Sequence, residues 1–542
     1  MLSTCVEKGL LVPLDLYFAR RMLKQGSEAQ HALLAVLMAC ARQGHLCLPL
    51  DTLEELLSAM NGSIECDLSA LAKLVRQGAD PLPETPVLVE QSGCFYLQRF
   101  WQIETQIVER IQKLLQTSPK LTLPALQMPG SLNSAQQNAL AQAWTHALSL
   151  LCGGPGTGKT YTAAALVKAV LDSHSQARII VAAPTGKAVA QIEAYLKRVL
   201  PAEANLRAAT LHALLELKGE DDMEREPKPI FADLILVDES SMIDAELFTH
   251  FLQAVVPGTR LVLIGDPDQL PPIEMGSVFG DLTHANLPMT ELAESLRSDR
   301  LEIHAMAAAI RTGQLADVLT SSKHVQWLDW SLEGRPAKFY AQLLSVVQDR
   351  FTSGFDQEPQ PYLLMCSLDH FRLLSCMRRG PYGVDAVNTY LMQKLLEACA
   401  QSPWWVAPIL ITRNHRETDL FNGESGFLIR KQTSSTRFED YALFADRKEP
   451  GAYRKIPAGA LPAFEYSYCL SVHKSQGSEY DDVLVLVPPG TEVFGREVLY
   501  TAVTRARKAL LMAGSSKTVE RTLQHTSQRR SRIVERLKNG VD

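Results

Sequence analysis

Residues 153–160 read Gly-Gly-Pro-Gly-Thr-Gly-Lys-Thr and match the phosphate-binding loop pattern G-x-x-x-x-G-K-[ST] at every fixed position. An apolar run, Ala147–Cys152, precedes the loop, and a helix-like run, Tyr161–Leu171, follows it. Glycines let backbone N–H groups turn toward phosphate oxygens, Lys159 can reach the β and γ phosphates, and the Thr160 hydroxyl can ligate Mg²⁺. The pattern predicts an α/β nucleotide-binding domain, with a Gly-rich surface turn as the alternative. The residues predicted to bind the nucleotide are Gly153, Gly154, Pro155, Gly156, Thr157, Gly158, Lys159 and Thr160.

Length and composition indicate a globular protein with several domains. The chain has 542 residues, of which 46% are hydrophobic and 21% charged, and a single core rarely organises so many. No apolar run approaches the ~18 residues of a membrane span, and the N-terminus lacks signal-peptide order, so we expect a cytoplasmic protein. The ten cysteines show no C-x-x-C spacing, which favours buried thiols. The net charge of -6 leaves nucleic-acid binding open, because a local basic channel can coexist with an acidic exterior.

The first half of the chain divides into two regions. Residues 1–118 are predicted to be mainly helical, with runs at 32–41, 53–60 and 68–75, and a Pro-containing segment, 118–131, reads as a linker. Strands and helices then alternate over 119–290. Nearly continuous apolar runs typical of strands buried on both faces of a parallel sheet occur at Ile179–Ala183, Leu234–Val237 and Leu261–Ile264.

The second half, 291–542, predicts another α/β core. Its candidate strands are Tyr362–Cys366, Val483–Val487 and Leu510–Ala513. Residues 411–466 are rich in Gly, Pro and aromatic residues with weak alternation, and they suggest a small β insertion in this core.

Two further strand ends carry polar residues suited to nucleotide hydrolysis. Asp238 could hold Mg²⁺ through water, and Glu239 could orient and deprotonate an attacking water. Acidic residues that merely begin a helix are the alternative. Gln269, in Gly-Asp-Pro-Asp-Gln, could sense the γ-phosphate, with a Pro-rich turn as the alternative.

Seven motifs in one order resemble those of superfamily 1 helicases of the RecD type. They are Gly153–Thr160, Ala183–Lys187, Thr210–His212, Asp238–Met242, Gly265–Gln269, Val472–Ser478 and Tyr500–Arg507. Within that group the chain is most similar to the RecD family, the alpha subunits of exodeoxyribonuclease V. The stretches that carry this closer resemblance are Gly44–Leu50, Arg378–Val384, and Ile411–Asn414 with Leu420–Gly423. The resemblance implies two RecA-like motor domains, an SH3-like β insertion at 411–466, and a partner-docking domain at 1–118.

The resemblance also implies roles for single residues. Arg505 and Arg297 match arginines that contact the γ-phosphate from the opposite motor, and Gln136 matches a glutamine that reads adenine, with Gln137 as the register alternative. Lys218–Pro229 sits where relatives carry a strand-separating hairpin, although a surface loop explains it nearly as well. Trp404-Trp405 could stack bases, but packing beneath the β insertion is favoured. The positions implied to bind DNA are Thr185, Lys187, Thr210, His212, Arg413, Asn414, Asn422, His473, Lys474 and Gln476.

The implied activity is ATP- and Mg²⁺-dependent 5′ to 3′ DNA unwinding in double-strand break repair, with RecB-like and RecC-like subunits as partners. The chain shows no nuclease constellation of carboxylates and lysine in recognisable spacing. Cys152 and Tyr161 depart from the residues common beside the loop, but neither has a phosphate role. Two alternatives remain, a stand-alone RecD-like helicase and a scaffold that has lost hydrolysis. Arguing against the scaffold are the intact Lys159, Asp238, Glu239, Gln269 and Arg505.

Overall fold

The computed structural model divides the chain into two compact units, which are described separately. Unit 1 comprises Met1–Ser298 and Ser527–Asp542, and unit 2 comprises Asp299–Thr526. The residues described are 1–61, 67–80, 85–124, 126, 128–200, 205–219, 222–223, 225–293, 301–330, 336–352, 358–398, 402–415, 417–434, 437–446, 449 and 451–539.

The N-terminal part of unit 1 is mainly helical, as predicted. Ser27 begins α3 by accepting a hydrogen bond from the Gln30 backbone N–H at 3.2 Å, and the Gln30 side chain accepts one from the Ser27 N–H in return. This region also contains a small three-stranded sheet of order β1-β3-β2, which the sequence patterns do not predict. The elements are α1 (Leu2–Glu7), α2 (Pro13–Met22), α3 (Glu28–Arg42), β1 (Leu48–Pro49), α4 (Leu53–Asn61), α5 (Leu68–Ala79), β2 (Leu88–Gln91), β3 (Cys94–Leu97) and α6 (Gln98–Gln116).

A six-stranded parallel sheet forms the core of the rest of unit 1. Its strand order is β6-β5-β7-β8-β4-β9, and β4, β5, β7 and β8 are buried along their whole length, which confirms the predicted α/β fold. The elements are α7 (Ser134–Thr145), β4 (Leu148–Gly153), α8 (Lys159–Ser173), β5 (Ile179–Ala183), α9 (Gly186–Val199), β6 (Leu206–Thr210), α10 (Leu211–Leu214), β7 (Leu234–Val237), α11 (Ala245–Ala254), β8 (Arg260–Gly265), α12 (Val278–Thr283) and β9 (Met289–Leu292).

Unit 2 contains a second parallel sheet, of order β10-β19-β18-β11-β17, and an antiparallel sheet, of order β15-β14-β13-β12-β16. Its elements are α13 (Leu301–Thr312), α14 (Leu315–Val318), β10 (Val325–Asp329), α15 (Pro336–Thr352), α16 (Pro361–His370), β11 (Phe371–Ser375), α17 (Val384–Ala398), β12 (Trp404–Ile411), β13 (Ser425–Ser434), β14 (Arg437–Ala445), β15 (Tyr453–Pro457), β16 (Phe464–Tyr466), β17 (Cys469–Ser471), α18 (Val472–Ser475), β18 (Tyr480–Val487), α19 (Gly495–Val503), β19 (Ala506–Gly514) and α20 (Ser516–Gln524).

One predicted strand of unit 2 is wrong. The run Tyr362–Cys366 lies in α16, and the strand follows it as β11. Pro361 occupies the first turn of the helix, where its fixed φ is favourable and its missing N–H costs nothing. Tyr362 and Leu363 are exposed whereas Leu364 is buried, so the run has one buried face and not two.

The antiparallel sheet corresponds to the predicted β insertion but begins earlier, at Trp404. Trp404 is buried against Leu364, Val406 and Phe427, and Trp405 packs edge to face on Tyr466 with ring centroids 6.4 Å apart. Both tryptophans therefore pack within the protein, as the sequence analysis favoured. No helix among the residues described combines the length and apolar character needed to cross a bilayer.

The last residues of the chain return to unit 1, and we call residues 527–539 the C-terminal strap. It includes α21 (Ile533–Asn539), whose Ile533 is fully buried in the core around α6. The Glu104 carboxylate, itself fully buried, accepts hydrogen bonds from Tyr96 Oη at 3.1 Å, the Arg532 N–H at 3.0 Å and Arg536 Nη1 at 3.2 Å. The predicted second domain, 291–542, includes this strap, whereas its contacts belong to unit 1.

The contact of Asp281 with the strap predicts a pH dependence of stability. Asp281 accepts a hydrogen bond from Ser531 Oγ at 2.8 Å, and burial raises its pKa from 3.8 to about 7. The folded chain therefore binds a proton that the unfolded chain has lost, and the free energy of unfolding falls as the pH rises through this window. Asp281→Asn cannot lose this proton, so we expect it to melt higher than the natural chain at about pH 8 and by a smaller margin at about pH 5. Thermal unfolding at both pH values checks this, and an equal difference at both would contradict it.

Candidate functional site

The phosphate-binding loop joins the end of β4 to the start of α8. Gly156 and Gly158 have φ values of 80° and 91°, which glycine adopts without steric cost. A Cβ on Gly153 would lie 2.7 Å from Thr157 Oγ1 and 2.8 Å from the Leu292 carbonyl oxygen, so a larger residue cannot occupy this position without displacing backbone. The Lys159 ammonium group donates to the carbonyl oxygens of Gly153 and Gly154 at 2.6 and 3.0 Å. The loop thus folds around the lysine that the pattern assigns to phosphate.

Asp238 and Glu239 follow β7, the strand next to β8 in the same sheet. The Asp238 N–H donates to the Ala182 carbonyl at 2.8 Å, and Asp238 Oδ1 accepts the Glu239 N–H at 2.9 Å. Glu239 has a φ of 52°, a strained left-handed conformation that a non-glycine residue adopts only where the surrounding structure enforces it. Burial raises the pKa of Asp238, and the positive charge of Lys159 opposes that rise. A nearby cation therefore stabilises the ionised form of the Asp238 carboxylate.

Gln269 is buried after the end of β8. Its Nε2 donates to Asp266 Oδ2 at 3.1 Å, while its Oε1, also buried, finds no hydrogen-bond partner in the described part of the chain. Burial raises the pKa of Asp266, and Lys159 again opposes the shift. Asp266 orients Gln269, a role that the sequence analysis did not assign although the residue lies in the motif it singled out.

The two candidate glutamines at the start of α7 differ in their bonding. Gln136 Oε1 accepts the Asn133 N–H at 3.1 Å, and its buried Nε2 has no partner among the described residues. Gln137 Nε2 donates to the Leu132 carbonyl at 3.0 Å. The amide with a free donor is therefore that of Gln136.

These residues fit an ATP–Mg²⁺ complex. Buried polar atoms without partners on Gln136 and Gln269 cost stability unless a ligand pairs with them. The Lys159 ammonium group, now on loop carbonyls, has the charge that phosphate requires, and Thr160 and Asp238 offer the oxygen ligands that Mg²⁺ prefers. Within the described residues, no group of three or more His, Cys, Asp or Glu side chains could hold a metal ion by itself.

Four predicted DNA-binding residues lie at or just after the carboxyl ends of β5 and β6, two neighbouring strands of the unit 1 sheet. Thr185 begins α9 and Thr210 begins α10, each by accepting a backbone N–H, from Ala188 at 3.3 Å and from Ala213 at 3.1 Å. Lys187 and His212 are exposed on these helices. The hydroxyls are thus partly used as helix caps, and the role of all four residues in DNA binding stays a prediction.

The structure brings two predicted DNA-binding residues of unit 2 together. Asn414 Oδ1 accepts the Asn422 N–H at 2.8 Å, and both are exposed, as is Arg413. The His473 ring packs on Phe494 with centroids 5.6 Å apart, and Gln476 ends α18. Lys474 pairs with Glu465, so its ammonium group must leave that carboxylate to bind phosphate.

Arg505 is buried within unit 2, with 3% of its surface exposed. Its guanidinium donates to the carbonyls of Thr501 at 2.9 Å and Ser478 at 3.2 Å. Its role as a γ-phosphate contact stays a prediction. Arg297 lies outside the described residues. In Lys218–Pro229 the described residues contain no strand, and residues 220, 221 and 224 lie outside the description.

Asn388 was missed by the sequence analysis because nothing in its neighbourhood distinguishes it from other polar residues of a helix. Its Nδ2 donates to the Cys469 carbonyl at 3.0 Å, and its Oδ1 accepts the Cys469 N–H at 2.8 Å. Cys469 begins β17, the edge strand that leads into Val472–Ser478. The Asn388 side chain therefore makes the two backbone hydrogen bonds that a neighbouring strand would make with β17.

We expect Asn388→Ala to destabilise unit 2 by roughly 2–4 kcal/mol, because two buried backbone groups lose their partners. Gln393→Ala, an exposed change on the same helix, is the matched control and should stay within about 0.5 kcal/mol of the natural chain. Urea unfolding followed by fluorescence measures both. Equal stabilities for the two variants would show that Asn388 does not support β17.

Comparison with known proteins gives matches along most of the chain. Three family models match: the RecBCD enzyme subunit RecD N-terminal domain over residues 7–93, an AAA domain over 131–331, and the UvrD-like helicase C-terminal domain over 466–513. The ATP-dependent RecD2 DNA helicase of Deinococcus radiodurans is 28% identical, over 90% of this chain and 65% of that protein. A crystal structure of Pif1 helicase from Candida albicans is 16% identical with a TM-score of 0.40, covering 75% of this chain and 98% of that one.

The RecBCD enzyme subunit RecD of Mycolicibacterium smegmatis is 31% identical over 564 aligned residues, which cover 98% of each chain. The same protein of Haemophilus influenzae is 26% identical and covers 97% of each chain. With this identity maintained from end to end, and with the RecD N-terminal domain matched where the structure has its helical region, the chain belongs to the family of RecBCD enzyme subunit RecD.

Proposed function

We propose that this chain is an ATP-dependent 5′ to 3′ DNA helicase that acts in the cytoplasm as the RecD-type subunit of a RecBCD complex in double-strand break repair. One observation carries the catalytic part of the proposal. The phosphate-binding loop, Asp238 and Gln269 all follow carboxyl ends of adjacent parallel strands, where the sheet can present them to one nucleotide.

The residues of unit 1 divide the work of ATP hydrolysis. The backbone N–H groups of the loop and the Lys159 ammonium group are proposed to hold the phosphates. Thr160, and Asp238 through water, would hold Mg²⁺, which would supply further positive charge to the phosphates. Glu239 orients the attacking water and takes its proton. Gln269, held by Asp266 through its Nε2, is proposed to sense the γ-phosphate through the attacking water, whose O–H its unpaired Oε1 can accept. Arg505 of unit 2 and Arg297 are proposed to supply positive charge to the γ-phosphate.

DNA binding is proposed to rely on phosphate contacts and base stacking, because a translocating motor cannot depend on sequence. In unit 1 the residues involved are Thr185, Lys187, Thr210 and His212. Those of unit 2 are Arg413, Asn414, Asn422, His473, Lys474 and Gln476. Support comes from the exposure of Lys187, His212, Arg413, Asn414 and Asn422, the last two of which are joined by a hydrogen bond, whereas Gln476 is buried.

The proposed partners are RecB-like and RecC-like subunits, with residues 1–118 as the docking domain. Support comes from the match of residues 7–93 to the RecD N-terminal domain and from the end-to-end alignment with RecD subunits. The stand-alone alternative has less support, because residues 7–93 match the N-terminal domain of the RecBCD subunit RecD. In a scaffold that does not bind ATP, the buried unpaired amide atoms of Gln136 and Gln269 would have no ligand with which to pair.

We expect the full chain, alone or with its partner subunits, to unwind a partial duplex from a 5′ single-stranded tail, and we expect the chain alone not to unwind one from a 3′ tail. Lys159→Gln should lower ATP turnover by this chain by roughly 100-fold or more, because the amide cannot supply charge to the phosphates. Lys168→Gln is the matched control, since Lys168 lies on the same helix but is exposed and pairs with Asp172.

The isolated chain is the material for the turnover measurement, because a RecB-like partner would hydrolyse ATP itself. ATP hydrolysis that survives in Lys159→Gln would overturn the assignment of the active site. Unwinding from the 3′ tail alone would overturn the polarity. Activity in neither preparation would favour the scaffold.

Gln136 is proposed to contact adenine, and its bonding suggests a selective test. Gln136→Glu keeps an oxygen for the Asn133 N–H but removes the free Nε2 donor. We expect the KM for ATP to rise about tenfold or more, because one hydrogen bond is lost and the new carboxylate repels acceptor atoms of the base, with a smaller change in kcat. Gln137→Glu is the control, because the Gln137 amide already bonds the Leu132 carbonyl. Steady-state kinetics of both variants decide between the two glutamines, and a larger KM change in the Gln137 variant would reverse the assignment.

A further inference from the structure

The C-terminal strap attaches to the N-terminal region at Gly44–Leu50. In the sequence, this segment is distinguished only by its resemblance to the RecD family. The Leu46 N–H donates to the Arg530 carbonyl at 2.9 Å, and the Arg530 N–H donates to His45 Nδ1, also at 2.9 Å. These two bonds fix the backbone of the strap beside the turn that follows α3. The neighbouring Arg529 side chain is thereby directed along a defined path.

The Arg529 guanidinium is surrounded by backbone carbonyl oxygens. It donates to those of Gly276 at 3.0 Å and Ile273 at 3.2 Å, and also to those of Pro272 and Glu274. Gly44, with a φ of 88°, makes room for it, since a Cβ there would lie 2.6 Å from Arg529 Cζ. A rigid planar fork with five N–H donors can satisfy several carbonyls at once, which the single ammonium group of lysine cannot reproduce.

The loop that Arg529 holds, residues 272–276, links three parts of unit 1. It begins three residues after Gln269 in the chain. The Gly276 N–H donates to the Gly44 carbonyl at 2.9 Å, and the Met275 carbonyl accepts the Ala245 N–H at the start of α11, also at 2.9 Å. Without the Arg529 guanidinium, four carbonyl oxygens would lose their hydrogen-bond donor. Residues 272–276 would then be free to move, together with the preceding residues that include Gln269.

We propose that Arg529 is a positioning residue for ATP turnover, which holds the loop 272–276, and through it Gln269, in a fixed position against the Gly44–Leu46 turn. The proposal rests on the proposed ATPase function of Gln269. It adds that hydrogen bonds connect the N-terminal region, the C-terminal strap and the loop that follows Gln269. A partner bound to the N-terminal region could then influence hydrolysis through these contacts.

The first test measures structure and needs no activity. In hydrogen–deuterium exchange of the full chain, Arg529→Gly should accelerate exchange in peptides that cover residues 270–279 and 44–47. Peptides that cover the phosphate-binding loop and β18 should exchange as in the natural chain. Arg521→Ala, an exposed arginine of α20, is the control and should change neither set.

The second test measures turnover by the isolated full chain. We expect Arg529→Gly to lower kcat by about 10- to 100-fold, the cost of a small misplacement near the reaction, while the KM for ATP stays within about twofold. Guanidinium ion added below denaturing concentrations should restore part of kcat in Arg529→Gly and leave the natural chain unchanged. The kcat of Arg529→Lys should lie between those of Arg529→Gly and the natural chain.

The outcomes separate this proposal from the assignment of the active site. A natural chain without ATP hydrolysis would overturn the proposed function, and the exchange result would still report on Arg529. Exchange in residues 270–279 that is unchanged by Arg529→Gly would overturn the positioning role. A kcat within twofold of the natural value in the folded Arg529→Gly protein would do the same, as would a loss of kcat that only follows loss of folded protein in a thermal melt.

Discussion

Parallel pairing of β4 with its neighbours is the constraint on which the candidate site depends. β4 runs beside β8 from Leu148 opposite Leu261 to Cys152 opposite Gly265, so the two strands end at the same level. The phosphate-binding loop and the segment with Asp266 and Gln269 therefore leave the sheet side by side. A shift of one residue in this register would turn every buried side chain of the strand to the other face, and packing on both faces opposes it.

Much of this arrangement is predictable because its signals are local. Short apolar runs mark strands buried on both faces, and glycines at fixed spacing mark a loop whose backbone must take positive φ values. Tyr362–Cys366 shows the limit of such signals. Five apolar residues fit a strand or one side of a helix equally well, and only the contacts of Leu364 beneath the antiparallel sheet distinguish the two.

The contacts that sequence could not predict join distant parts of the chain. Asn388 completes an edge strand 81 positions away, and Arg529 closes on carbonyls more than 250 positions away. Neither residue has a periodic pattern or motif around it. The unpaired amide atoms of Gln136 and Gln269 are equally invisible in sequence, because pairing is a property of the folded environment. The motifs predict the types of residue at the site. They do not predict which polar atoms remain available to a ligand.

The buried position of the C-terminal strap in unit 1 has a consequence for biosynthesis. A ribosome completes residues 1–298 long before residues 527–539 emerge, and all of unit 2 is made in between. Until then, the Glu104 carboxylate lacks Arg536 and the core around Ile107 lacks Ile533. Domains usually fold in the order of their synthesis. Here unit 1 can be completed only after unit 2 has been made, so the core around Ile107 stays without Ile533 while residues 299–526 are synthesised.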